Sequence, residues 1–181
     1  MSLPSALSLA QGHSQFFISA QVAVTEFGQD LGFNPGIGFG AALRFRPDSD
    51  LSLSLSGLIT NTDVDFSLIT ETGHLPVTVS VIRLQLEYRL LAWFVDLHGS
   101  LSAGLLRMDT EEYRVSLGAL GSQVIPSRQE SFASAAAGLV FSRTVASNID
   151  VRIEPQMSFY SRNSNTFSFI SIAGGLSIGI L

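Results

Sequence analysis

Leu51-Ser52-Leu53-Ser54-Leu55-Ser56-Gly57-Leu58-Ile59 is the stretch that decides the fold. Successive side chains of a strand point to opposite faces. Leu51, Leu53, Leu55 and Ile59 therefore share one face, and Ser52, Ser54 and Ser56 share the other. A helix of period 3.6 would scatter the same leucines around its axis. Near Asn61-Thr62 the alternation changes parity and resumes as Val64, Phe66 and Leu68, which predicts a bulge or kink there.

The same period extends in both directions. Upstream, a strand over about 14–27 sets Phe16, Ile18, Ala20, Val22 and Val24 against Phe17, Ser19, Gln21, Ala23 and Thr25. A second, over about 37–46, sets Ile37, Phe39, Ala41, Leu43 and Phe45 against Gly38, Gly40, Ala42, Arg44 and Arg46. Downstream, a fourth strand over about 77–90 ends with Leu84, Leu86, Tyr88 and Leu90 opposite Arg83, Gln85, Glu87 and Arg89. The fifth opposes Val95, Leu97, Leu101, Ala103 and Leu105 to Asp96, His98, Ser100 and Ser102. Alternation runs on weakly through Tyr113, Val115 and Leu117, turns at Gly118 to Ser122, and returns in a sixth strand over about 131–143. The seventh opposes Ile149, Val151, Ile153, Met157 and Phe159 to Asp150, Arg152, Glu154, Gln156 and Ser158. In the last, Ile170, Ile172, Leu176, Ile178 and Ile180 oppose Ser171, Ala173, Gly175, Ser177 and Gly179.

The count is eight. Connections 2–3, 4–5 and 6–7 are short, whereas 1–2, 3–4 and 5–6 are long. That rhythm belongs to bacterial outer-membrane barrels, with short periplasmic turns and longer outer loops. Aromatics gather near strand ends, Phe16, Phe45, Tyr88, Trp93 and Phe141 toward the short turns and Phe27, Phe39, Phe132, Phe159 and Phe167 toward the long ones. Two interfacial girdles are expected from them.

Composition separates this reading from a soluble β-sandwich, which would alternate equally well. Mean hydropathy is +0.35, charged residues make up 14%, and the basic residues are ten arginines with no lysine. No apolar run reaches the roughly 18 residues of a spanning helix. A hydrophobic chain without such a helix crosses a bilayer as a closed barrel, because only closure satisfies every backbone group in lipid. The expected fold is all-β, an eight-stranded antiparallel up-and-down transmembrane β-barrel over residues 13–181 in the bacterial outer membrane. Residues 1–12 read as a residual signal peptide or N-terminal arm, with Ser8-Leu9-Ala10 as a small-x-small cleavage pattern. A net charge of −5 excludes the basic stripe of a nucleic-acid binder. The chain has no cysteine, so disulfides and thiolate metal sites are excluded.

On these strands, interior charges and loop rhythm, residues 13–181 resemble the small outer-membrane barrels typified by the transmembrane domain of outer membrane protein A and by outer membrane protein X. The resemblance implies passage through the barrel-assembly machinery, which recognises the last strand. Gly175, Ile178 and Ile180 fit that signal, while Leu181 replaces the usual terminal aromatic residue. A cell-wall anchoring role like that of the two-domain relatives is not expected.

The polar faces carry Arg44, Arg46, Arg83, Glu87, Arg89, Asp96, His98, Asp150, Arg152 and Glu154. Arginine on the lipid face at mid-plane costs about 2–4 kcal/mol, so these groups are expected inside. The wall positions of strands three, six and eight are mostly Ser, Gly and Ala, which leaves room for Arg and Glu to cross the lumen and pair. An eight-stranded barrel is just wide enough for side chains to fill. A plugged, charge-paired interior follows as the expectation, with a narrow or gated channel for ions or small solutes as the alternative.

No catalytic residue, metal site or cofactor is expected. Asp96, His98 and Ser100 share a face, but such neighbours stand about 6.5–7 Å apart, against about 2.6–3.2 Å for a nucleophile and its base. Gly36-Ile37-Gly38-Phe39-Gly40 precedes no helix and is no phosphate loop. His13, His74 and His98 are dispersed. Segments 61–76 and 107–130 exceed the 9–11 residues a spanning strand requires. They are expected as a projecting sheet, with mobile loops as the competing reading, and a projecting edge can pair with a partner protein. Arg107, Asp109, Glu111 and Glu112 fall near the outer rim, where lipopolysaccharide or its divalent cations would be met. The expected function is that of a structural and surface-interaction protein: envelope integrity, adhesion, or docking of partners at the outer loops.

Overall fold

The computed structural model describes residues 15–28, 32–67, 72–116, 121–146, 148–162 and 165–180. The expected leader 1–12, His13, Leu68, Leu181 and residues 118–120 of the expected turn at Gly118 to Ser122 lie outside the described residues. The strands are β1 (Gln15–Phe27), β2 (Gly36–Arg46), β3 (Leu51–Ser67), β4 (Thr72–Leu91), β5 (Asp96–Thr110), β6 (Tyr113–Ser116), β7 (Ser122–Ile125), β8 (Arg128–Ala146), β9 (Ile149–Arg162) and β10 (Asn165–Gly179). Eight of them close into a barrel in the order β1-β10-β9-β8-β5-β4-β3-β2, each pair antiparallel. Closure leaves the ring of eight strands without an open edge, which is the condition for β-structure in lipid.

The alternation does what the sequence asks. Leu53, Leu55, Ile82, Leu84, Leu101, Leu105, Ile153 and Ile172 stand on the outside, and Leu101 keeps 65% of its surface free of protein contact. Their inward neighbours Ser52, Ser54, Arg83, Gln85, Ser100, Ser102, Arg152 and Ser171 are buried. Along β4 the apolar band runs from Ile82 to Leu90, eight steps at about 3.3 Å along a tilted strand. That is close to the ~25 Å apolar band of such barrels. At the short-turn end Phe16 packs on Phe45 (centroids 4.9 Å apart), beside exposed Tyr88 and Trp93. The ladder between β8 and β9 skips Pro155, which has no N–H to donate.

Two expectations are corrected. No bulge interrupts β3 at Asn61-Thr62: its register with β4 runs unbroken from Leu51↔Tyr88 to Ser67↔Thr72. The strand keeps its register while its surroundings change. Below Ile59 the odd residues meet lipid, whereas Thr60, Thr62 and Val64 face the barrel's outer end, whose interior is apolar. Register shifts occur instead at the short-turn end, at Arg89/Leu91 and Thr144/Ala146.

The second correction concerns the outer aromatic girdle. Phe39 and Phe159 face outward, but Phe27 is buried inside and Phe132 and Phe167 pack against the same interior cluster.

Beyond the band, β3 and β4 continue as a projecting hairpin of 17- and 20-residue strands. β5 and β8 stay paired up to Thr110↔Arg128, after which β6 and β7 form a separate two-stranded ribbon. Segment 61–76 is thus sheet wherever it is described, and 107–130 is sheet followed by its own small ribbon.

Candidate functional site

The barrel interior is built in layers from the short-turn end outward. In the lowest, Arg44 and Arg46 of β2 converge on Asp150 of β9, at 3.0 and 3.4 Å. Thr144 donates its hydroxyl to the other carboxylate oxygen at 2.8 Å. Both guanidinium groups lie over the ring of Phe17, 4.5 and 4.9 Å from its centroid. An aromatic face attracts a cation, so Phe17 acts as a second, neutral partner. On the opposite wall, His98 Nε2 lies 3.4 Å from Ser142 Oγ.

The middle layer centres on Arg152. Its Nη2 donates to Glu87 at 2.6 Å across the lumen and its Nε to Glu154 at 2.7 Å. Bonds of this length between charged groups are the strong ones. Gln85 donates to Glu87 at 3.1 Å and accepts from Gln156 at 2.9 Å. Arg83 meets no carboxylate among the described residues: it donates to Gln156 Oε1 at 2.9 Å and Ser158 Oγ at 2.8 Å. Two voids between these side chains measure about 10 and 30 Å³, room for about one water each.

The upper layer is mostly apolar. Phe27, Val77, Val79, Val81, Leu106, Met108, Tyr160 and Phe169 form one buried cluster. Tyr160 stacks on Phe167, centroids 5.5 Å apart, and Phe27 packs on Phe169 at 5.4 Å.

Seven of the ten expected interior residues, Arg44, Arg83, Glu87, His98, Asp150, Arg152 and Glu154, are fully buried inside, and Arg46 is partly so. Arg89 is drawn out of that set: it pairs with Asp50 of the β2–β3 turn at 2.5 Å and lies at the rim. Asp96 opens β5 at the same rim, half-buried. Phe17, Gln21, Gln85, Gln156 and Ser158 belong to the network although the sequence did not single them out. Their inward parity on the strands was the available signal.

At the outer rim, Arg107 donates to both oxygens of Asp109, at 3.1 and 2.9 Å, and Gln129 donates to it at 2.7 Å. Those bonds hold the Asp109 carboxyl below its ordinary value, Arg107 contributing most. Glu111 and Glu112 are exposed just beyond β5.

On the projecting hairpin, His74 Nδ1 sits 3.1 Å from Asp63 and 2.5 Å from Asp65, and Asn34 donates to both carboxylates at 3.0 and 2.9 Å. One ligand atom from each of Asp63, Asp65 and His74 lies within 4.8 Å of the others, so among the described residues these three are placed to hold a metal ion. Read along the chain, His74 is nine residues from Asp65; only the β3–β4 register sets them face to face.

A closed ring of eight antiparallel strands, apolar outside and charged within, defines an eight-stranded transmembrane β-barrel of the bacterial outer-membrane kind. Solved structures agree. The chain is similar to neisserial surface protein A (NspA), with a TM-score of 0.63 at 13% identity over 90% of this chain and 96% of that one. A major outer membrane protein of Thermus thermophilus gives 0.62 at 11% identity, over 91% and 99%. The attachment invasion locus protein Ail of Yersinia pestis, in complex with the heparin analogue sucrose octasulfate, gives 0.57 at 18% identity, over 92% and 99%. No family model and no curated protein matches the chain.

Proposed function

We propose that the protein is a non-conducting, non-catalytic barrel of the bacterial outer membrane that works through its outer end. It would stabilise the envelope and present the β3–β4 hairpin and the β6–β7 ribbon to partners. The observation that carries this reading is the order of the interior layers. Any path along the axis must break the Arg44–Asp150 and Arg152–Glu87 pairs and then part the apolar cluster of Val79, Leu106, Tyr160 and Phe169. Ions meet first a network of paired charges and then a mostly apolar layer that solvates them poorly, which is costly.

The partners consistent with this end are outer-leaflet lipid and lipopolysaccharide around the rim charges Arg107, Asp109, Glu111 and Glu112, and a protein at the projecting sheet. Assembly by the barrel-assembly machinery through β10 belongs to the same proposal. A narrow gated channel is the second reading, favoured by one observation, the dependence of both Glu87 and Glu154 on the one guanidinium of Arg152.

Because the chain has no native cysteine, thiol accessibility tests the closed interior directly. Ser100→Cys and Ser158→Cys, both buried in the lumen, are expected to resist a membrane-impermeant maleimide in folded proteoliposomes, while Ser127→Cys at the outer end reacts. Labelling of the two lumen positions as fast as Ser127→Cys would sink the proposal.

A further inference from the structure

On top of the apolar layer, open to the outside, lies a cavity of about 430 Å³. That falls within the range of small-molecule sites, which join an apolar lining to a few placed polar groups. Its wall is Phe33, Leu75, Val77, Met108 and Ile125, contributed by the β1–β2 connection, β4, β5 and β7. Its charged lining residues among those described are Arg128 and Glu130 of β8 and Arg162 of β9.

The charges there do not balance. Arg162 pairs with Glu130 at 2.8 Å, and Arg128 pairs with the same carboxylate. Among the described residues that line the cavity, two guanidinium groups share one anion, which leaves a surplus positive charge there. Arg128 commits one nitrogen to that pair and remains 66% exposed; Arg162 is held at 31% with its guanidinium near the ring of Phe132. A guanidinium has five donors and a geometry matched to carboxylate and phosphate.

We infer that this cavity binds a small amphipathic anion, with an apolar chain or ring against Val77 and Met108 and a carboxylate or phosphate on Arg128 and Arg162. The apolar layer beneath gives the chain a closed floor. The site therefore captures its ligand at the surface and passes nothing down the lumen. It shares with the proposed function only its place at the outer end, so failure here leaves the test of the lumen untouched.

The probe is octanoate, titrated calorimetrically into protein folded in phosphatidylcholine nanodiscs, with empty discs as the blank. A saturable one-to-one isotherm above the blank is expected, with octylammonium at least about tenfold weaker. Arg128→Glu reverses the charge of an exposed residue and is expected to weaken octanoate about tenfold or more, the usual worth of a charge-assisted bond. Leu75→Trp, which fills the cavity, is expected to abolish binding, with folding of both variants checked by heat-modifiable gel mobility. Discs containing phosphatidylglycerol separate two sources of the same chemistry: weakened octanoate binding marks a lipid headgroup as the competitor, and unchanged binding marks a water-borne amphiphile. An isotherm equal to the blank, equal binding of octylammonium, or wild-type affinity in the Arg128→Glu variant would overturn the inference.

Discussion

Arg152 is one cation between two carboxylates, and replacing it should be far worse than replacing either of them. Its side chain is 4% exposed, Glu87 1% and Glu154 7%, with contacts of 2.6 and 2.7 Å. Arg152→Met keeps most of the volume but leaves two buried carboxylates facing each other with no cation between them. Removing one member of a buried pair costs about 3–5 kcal/mol, because the remaining charge is stranded. Glu87→Gln acts in the opposite direction. It leaves Arg152 and Glu154 matched one to one, and the amide oxygen still accepts the Arg152 bond, so the cost should stay below about 1 kcal/mol. At about 1.4 kcal/mol per decade the two variants should differ by at least about 30-fold in unfolding equilibrium. Urea titration of vesicle-folded protein, followed through the emission of Trp93, the only tryptophan, measures both. A cost below about 1 kcal/mol for Arg152→Met, or equal costs for the two variants, would refute the charge-count reasoning.

Leu101 faces lipid near mid-strand, so Leu101→Arg should cost about 2–4 kcal/mol in the same urea assay. Gly104 is an inward position where a Cβ would stand 1.9 Å from the Ile82 carbonyl oxygen; Gly104→Val should therefore destabilise by about 1–3 kcal/mol in vesicle refolding, with a smaller loss for Gly104→Ala. Amide exchange should be slow at residues 61–65 and 73–77, where β3 and β4 remain paired beyond the band, and uniform fast exchange there would show that the projecting hairpin does not persist. The depressed Asp109 carboxyl contributes its stabilisation above the unfolded aspartate value of about 4 and loses it as pH falls through the lower folded value. Exchange at 107–110, corrected for the intrinsic pH dependence of amide chemistry, should accordingly be flat from about pH 7 to about pH 5 and rise only in stronger acid.

The outside of this barrel was legible in the sequence because lipid is one uniform solvent. Wherever a strand meets it, every second residue must be apolar, and Leu51 to Ile59 or Leu84 to Leu90 show that period directly. Which charges point inward was legible for the same reason. Their pairing was not, since Arg44 meets Asp150 and Arg152 meets Glu87 across the closed ring, over 106 and 65 residues of chain.

The change at Asn61-Thr62 was read as a bulge because a parity switch has two causes that look alike in one dimension. Either the strand gains a residue or the apolar environment moves to its other side, and the second is the case. The inward turn of Phe27, Phe132 and Phe167 has the same origin, and so does the cavity above them. Arg89 shows the limit at the rim, where a nearby turn residue, Asp50, competes with the lumen for the guanidinium.

Single-channel recording of the detergent-folded protein in a planar bilayer is the most direct test of the closed interior. The layered interior predicts silence over a wide voltage range for the wild-type protein. Reproducible conductance steps that shift on Glu87→Gln would contradict it and make the lumen, not the outer end, the working part of the molecule.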